Sequence, residues 1–112
     1  MFKVLVIEDD IDILQNIVDT LTIEGYQARG AEDGRPGLEI ANSWLPDLVV
    51  CDIMMPIMNG YDVLMAMRNK SDTAKIPFIF LTAKTEWSDM RKGMLLGADD
   101  YLTKPFIPEE LI

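Results

Sequence analysis

Five polar residues stand at the ends of apolar runs, and their types suit one kind of chemistry. Glu8 and Asp9 follow Lys3-Val4-Leu5-Val6-Ile7, and Asp52 follows Leu48-Val49-Val50-Cys51. Thr82 follows Pro77-Phe78-Ile79-Phe80-Leu81, and Lys104 follows Asp100-Tyr101-Leu102-Thr103. If these runs are neighbouring strands, three carboxylates share one small crevice. Like charges ~4 Å apart repel by about 4 kcal/mol at an effective dielectric near 20. Such a cluster holds together with a bound cation, a neighbouring lysine or a proton. Carboxylate oxygens are hard ligands, and they select magnesium, manganese or calcium over zinc or copper. Lys104 adds a positive charge on a flexible stem suited to a phosphate or carboxylate, and Thr82 adds a neutral hydroxyl donor. Two cations and a hydroxyl around one carboxylate are what stabilising a transferring phosphoryl group requires. An aspartate can itself accept that group, becoming an acyl phosphate.

The elements that must position these residues alternate between two periodicities. Lys3–Ile7 and Leu48–Cys51 are short, continuously apolar runs, the pattern of strands buried on both faces. Between them, Ile11, Leu14, Ile17, Val18 and Leu21 mark one face of a helix, with Asp9 or Asp10 able to cap it and Gly25 stopping it. Residues 26–31 form a weaker, more polar strand suited to a sheet edge. Asp33-Gly34 turns into a helix carrying Leu38, Ile40 and Ala41, whose start Pro36 and Gly37 loosen. A loop from Ile53 to Gly60 leads to a Met-rich helix with Val63, Leu64 and Met67 facing inward. Pro77–Leu81 is the fourth strand, Glu86 to Leu96 a fourth helix stopped by Gly97, and Asp100–Thr103 a fifth strand. Strands and helices alternating in this way imply an α/β fold, a parallel sheet with helices on both faces. Ligands of such sheets bind beyond the carboxyl ends of the strands, where the five polar residues stand.

Several of these residues have plainer roles open to them. Asp10 reads as a helix cap rather than a ligand, and Thr82 is also a strand former. Asp52 follows a buried strand, where an unpartnered acid is costly, so it reads as functional. Cys51 reads as a packing residue. The eight methionines read mostly as core filler, with Met54 and Met55 placed to shape access to the site.

Composition narrows the function further. Apolar residues make up 49% and charged residues 26%, values of an ordinary globular domain rather than a disordered one. Ten basic against nineteen acidic residues give a net charge of −9, so a basic stripe for nucleic acid is not expected. The absence of histidine removes zinc-finger layouts, Ser-His-Asp triads and imidazole acid–base chemistry. A single cysteine forms no internal disulfide. No secretory leader opens the chain, and no apolar run approaches the ~20 residues of a membrane span, so a cytoplasmic location is expected. Neither phosphate-binding glycine motif, Gly-x-x-x-x-Gly-Lys-Ser/Thr or Gly-x-Gly-x-x-Gly, is present.

Four segments together resemble the receiver domain of two-component response regulators. They are Val4–Asp10, Leu48–Pro56, Ile79–Lys84 and Gly97–Phe106, which occur in the family's order along essentially the whole chain. The resemblance implies a flavodoxin-like, doubly wound sheet of five parallel strands in the order 2-1-3-4-5. It implies that Asp52 is the phosphoacceptor, and that Glu8, Asp9, Asp52 and the backbone carbonyl of Met54 hold Mg²⁺, with Mn²⁺ or Ca²⁺ able to substitute. Thr82 and Lys104 would contact the phosphoryl oxygens. Tyr101 would be a switch aromatic that turns inward as Thr82 moves toward the phosphate, its plainer reading being an aromatic on a half-buried strand.

The partners implied are a sensor histidine kinase or phosphotransfer protein and an output domain or target protein. The latter would dock on the face of the fourth helix, fifth strand and fifth helix, and a homodimer is compatible with that face. No direct nucleic-acid or membrane contact is expected of this domain, nor turnover as an enzyme beyond phosphotransfer to itself and loss of that phosphate. Residues 1–112 read as one receiver domain whose C-terminal helix, opening at Pro108-Glu109-Glu110, is incomplete, with any output module beyond Ile112. Two other functions stay in view. A phosphatase of the haloacid dehalogenase type also places an aspartate after a parallel strand, but wants a second acid two positions on, where Met54 stands. A phosphate-independent interaction domain would not need Glu8, Asp9, Asp52, Thr82 and Lys104 together.

Overall fold

The computed structural model describes residues 1–82 and the strand at 100–103. Along the chain run β1 (Lys3–Ile7), α1 (Ile11–Ile23), β2 (Gln27–Ala31), α2 (Gly34–Trp44), β3 (Leu48–Asp52), α3 (Gly60–Arg68), β4 (Phe78–Thr82) and β5 (Asp100–Thr103). All strand pairs are parallel, in the order β2-β1-β3-β4-β5. This is the order expected. The expected fourth and fifth helices lie outside the described residues, as does Lys104.

The continuously apolar strands are explained by burial on both faces. Val4, Val6, Leu48, Val50 and Leu81 point to one side, where Leu14, Ile17 and Leu21 of α1 cover them. Their neighbours Leu5, Ile7, Val49, Cys51, Phe78 and Phe80 point to the other, against Ala41 of α2 and Val63, Leu64 and Met67 of α3. Cys51 is therefore a packing residue, wholly buried. β2, the polar strand, pairs only with β1 and lies at the edge.

The helix starts follow from short polar side chains. Asp10 caps α1, its Oδ1 accepting from the backbone N–H of Asp12 and Ile13. Asp33 caps α2 by accepting from the N–H of Arg35 at 2.9 Å. Asn59 and Asp62 form a reciprocal capping box on α3. Among the described residues no helix is long and apolar enough to cross a membrane.

Three expectations are corrected, and one helix end adds a feature not expected from sequence. The apolar stripe of α1 is narrower than its spacing suggests. Ile11, as the helix's first residue beside exposed Asp9 and Asp10, is itself exposed, and Val18 is only half-buried. Gly37 does not merely loosen the start of α2. A Cβ there would come within 2.6 Å of Ile7 Cδ1, so its absence lets the helix settle onto β1. Methionines are not mostly core filler among the described residues: Met55 and Met67 are buried and Met58 packs partly, while Met1, Met54 and Met65 are exposed. Finally, α2 ends on Leu45 in the left-handed region (φ 50°), where glycine is usual. Pro46 disfavours the right-handed helical conformation at Leu45, and Lys3 holds the turn from outside, its Nζ donating to Trp44 O at 2.6 Å.

The cap of α2 is not one of the clustered acids and tests this account of the helix starts. Asp33→Ala should lower the unfolding free energy by ~1 kcal/mol, and Asp33→Asn, which keeps the acceptor, should restore most of it. Urea midpoints equal for the two variants would show that the cap contributes nothing.

Candidate functional site

The parallel register carries the candidate residues to one edge. Ile7 of β1 stands opposite Cys51 of β3, so the next residues, Glu8 and Asp52, are level. The strand order reverses between β1 and β3, the chain passing from β1 out to β2 and from β3 out to β4. The crevice beyond the strand ends at such a reversal is the usual ligand site of this architecture. Asp52 stands opposite Leu81, which puts Thr82 one residue further along the same edge, opposite Thr103 of β5. Tyr101 lies within β5, opposite Phe80.

Glu8, Asp9 and Asp52 each offer a carboxylate oxygen, all within 4.8 Å of one another. Glu8 is wholly buried, Asp52 is 6% exposed, and Asp9 faces solvent. Glu8 is fixed by its backbone N–H, which donates to Ala31 O at 3.0 Å, and by its Oε2, which accepts from the N–H of Asp10 at 3.2 Å. The alternatives left open for Asp9 and Asp10 are thereby separated. Asp10 caps the helix, and Asp9 joins the cluster.

The segment after Asp52 forms the rim. The N–H of Ile53 donates to Leu81 O at 3.3 Å, and the N–H of Gly60 returns to Ile53 O at 2.9 Å, closing the loop on itself. Ile53 and Met55 are buried in the core, whereas Met54 and Ile57 are 64% and 90% exposed. Of the two methionines expected to shape access, only Met54 presents its side chain.

Gly60, read from sequence only as the end of a loop, lies against the strand end itself. A Cβ there would overlap the backbone carbonyl oxygen of Asp52 and approach Phe80 Cε1 to 2.9 Å. The signal available in the sequence was the glycine directly after a capping asparagine, at a helix start that demands no positive φ.

The arrangement can bind a hard cation. Two unit charges ~5 Å apart repel by roughly 3 kcal/mol at an effective dielectric of 20, and a divalent ion reverses the sign of that term. The donors are all carboxylate oxygens, from one wholly buried, one nearly buried and one exposed residue, which fits a partly hydrated oxygen-ligated ion such as Mg²⁺.

Known proteins share this arrangement of sequence and fold. A family profile described as "Response regulator receiver domain" matches residues 4–112. An uncharacterized transcriptional regulatory protein of Bacillus subtilis, YrkP, is 43% identical over 110 residues, which are 98% of this chain and 46% of that protein. A probable transcriptional regulator of Porphyridium aerugineum, ycf27, is 45% identical over 97% of this chain and 44% of its own length. The chain thus spans about half the length of these curated relatives. Among solved structures, the chemotaxis protein CheY4 of Vibrio cholerae superposes with a TM-score of 0.93 at 37% identity, covering 99% of this chain and 92% of that one.

The charge cluster should be measurable as strain. Asp52→Asn should melt at a higher temperature than the parent in EDTA, because it removes one of three like charges. The gap should narrow in millimolar Mg²⁺, which stabilises only the state that binds it. Melting temperatures insensitive to Mg²⁺ in both proteins would show that the three acids do not share an ion.

Proposed function

The chain belongs to the response regulator receiver domain family, and from that premise we propose that Asp52 accepts a phosphoryl group from the phosphohistidine of a sensor histidine kinase or phosphotransfer protein. The observation that carries this reading is the meeting of Glu8, Asp9 and Asp52 at the β1/β3 reversal, with Asp52 nearly buried at the end of a core strand. In the proposed step a carboxylate oxygen of Asp52 attacks phosphorus and a P–O bond forms. The P–N bond breaks, and the imidazole nitrogen keeps the electron pair and remains on the donor protein. Glu8, Asp9, Asp52 and the backbone carbonyl of Met54 would hold Mg²⁺, which when bound would supply neutralising charge beside the acceptor, and Mn²⁺ or Ca²⁺ could replace it.

Around the acceptor, the Thr82 hydroxyl donates to one phosphoryl oxygen and the Lys104 ammonium pairs with another. Thr82 moves toward the phosphate, Tyr101 turns inward behind it, and the population shifts toward a second conformation. The signal then passes to an output domain or a separate target. The surface that changes is built by β5 and the segments expected to form the fourth and fifth helices, and the same face accounts for any homodimer. The domain is a phosphoacceptor rather than a turnover enzyme, because its product stays covalently attached until it hydrolyses. With a histidine kinase as donor, the proposed location is the cytoplasm.

Incubation with acetyl phosphate and Mg²⁺ should add one phosphoryl group, mapped by mass spectrometry to Asp52. Asp52→Asn should accept none, since an amide is neither nucleophile nor good ligand here. Undiminished labelling of that variant would overturn the assignment.

A further inference from the structure

We infer that Gly60 is a positioning residue for Asp52, fixing the acceptor through its own backbone carbonyl; the inference rests on the reading of Asp52 as phosphoacceptor. Three observations carry it. The Cα of Gly60 is packed so tightly that an added Cβ would overlap Asp52 O, and it would meet Ile53 Cα at 3.0 Å. Both of those neighbours are backbone atoms, which cannot turn aside as the end of a side chain can. Gly60 is in turn held in place, by its N–H bond to Ile53 O at 2.9 Å and by the Asn59–Asp62 capping box around the helix start. The same carbonyl also accepts from the Cys51 Sγ at 3.2 Å. The last peptide of β3 is therefore touched by both the Cys51 thiol and the start of α3. The direction in which the Asp52 carboxylate leaves the strand depends on that fit.

Other close-packed glycines do not have this consequence. A Cβ on Gly30 would meet only the side chain of Leu14, at 2.9 Å and beyond, and that side chain can change rotamer. Gly30→Ala is therefore a control for tight packing without contact to the acceptor. Alanine is otherwise the better residue inside a helix, so a loss in Gly60→Ala is not a loss of helix propensity.

The test is Mg²⁺ affinity measured by calorimetry on the unphosphorylated proteins, alongside the initial rate of labelling by acetyl phosphate. Gly60→Ala should bind Mg²⁺ roughly tenfold more weakly, as expected when a ligand's support is displaced, and should label correspondingly slowly. Gly30→Ala should match the parent in both. If Gly60→Ala does not fold in buffer, all three proteins are measured in trimethylamine N-oxide, which favours the compact state without changing any side chain. The weak Mg²⁺ affinity of Gly60→Ala should persist there, because the overlap with Asp52 remains. Parent-like Mg²⁺ affinity in folded Gly60→Ala, in either solvent, would overturn the positioning role. A parent that neither binds Mg²⁺ nor labels at Asp52 would overturn the proposed function instead.

Discussion

Ile7 opposite Cys51 is the pairing on which the carboxyl edge of the sheet depends, because it sets Glu8 and Asp52 side by side with Asp9 next to them. Like charges do not assemble of their own accord, and the frame beneath must outweigh their repulsion. β1 and β3 supply it. Val4 to Ile7 and Leu48 to Cys51 are all buried, most of them completely. A fully buried valine, leucine or isoleucine stabilises by roughly 1.5–3 kcal/mol, so two such residues already match one pair of repelling carboxylates. The acids are thus set on a core whose burial offsets their mutual repulsion.

That core also decides how the rest of the chain must run. Strands buried on both faces need helices on both sides, and parallel neighbours need crossovers between them. α1 on one face and α2 and α3 on the other meet both requirements. Because every strand points the same way, every strand ends at the same edge. The acids and Thr82 are then neighbours through topology, although dozens of residues separate them in sequence.

The parts of the architecture legible in the sequence were those with a local signature. Continuous apolar runs announced the two-sided strands, and an acid directly after such a run announced the site. The polar run 26–31 announced an edge, and Asp33 announced a helix start. What sequence did not reveal depends on partners far along the chain. Gly37 is small because Ile7 lies under it, and Gly60 because the end of β3 lies under it. Ile11 fits the apolar spacing of α1 as well as Leu14 does, and only the position of the sheet separates the exposed residue from the buried one. Met54 and Met55 are chemically identical neighbours with opposite fates, set by the path of a loop.

That path has its own physical logic. Between Asp52 and Gly60 the chain must leave the sheet and return to within contact of the residue it left. It does so partly through a tight turn at Ile57, whose φ of 70° is rare for a β-branched residue, with the N–H of Met58 donating to Pro56 O at 2.7 Å. A bond from residue i+2 to residue i around a central residue of positive φ describes the rarer and more strained of the two γ-turns. Strained backbone of this kind persists where its surroundings over-determine it. Here Ile53 and Met55 are anchored in the core on one side of the turn, and the capping box anchors Asn59 on the other. The cost of the turn is met by burial at its flanks, and its result is that Gly60 arrives against the Asp52 carbonyl. Strain in the loop, the missing Cβ of Gly60 and the position of Asp52 are thus one connected arrangement, and the departures from local preference in this loop gather beside the carboxylate cluster.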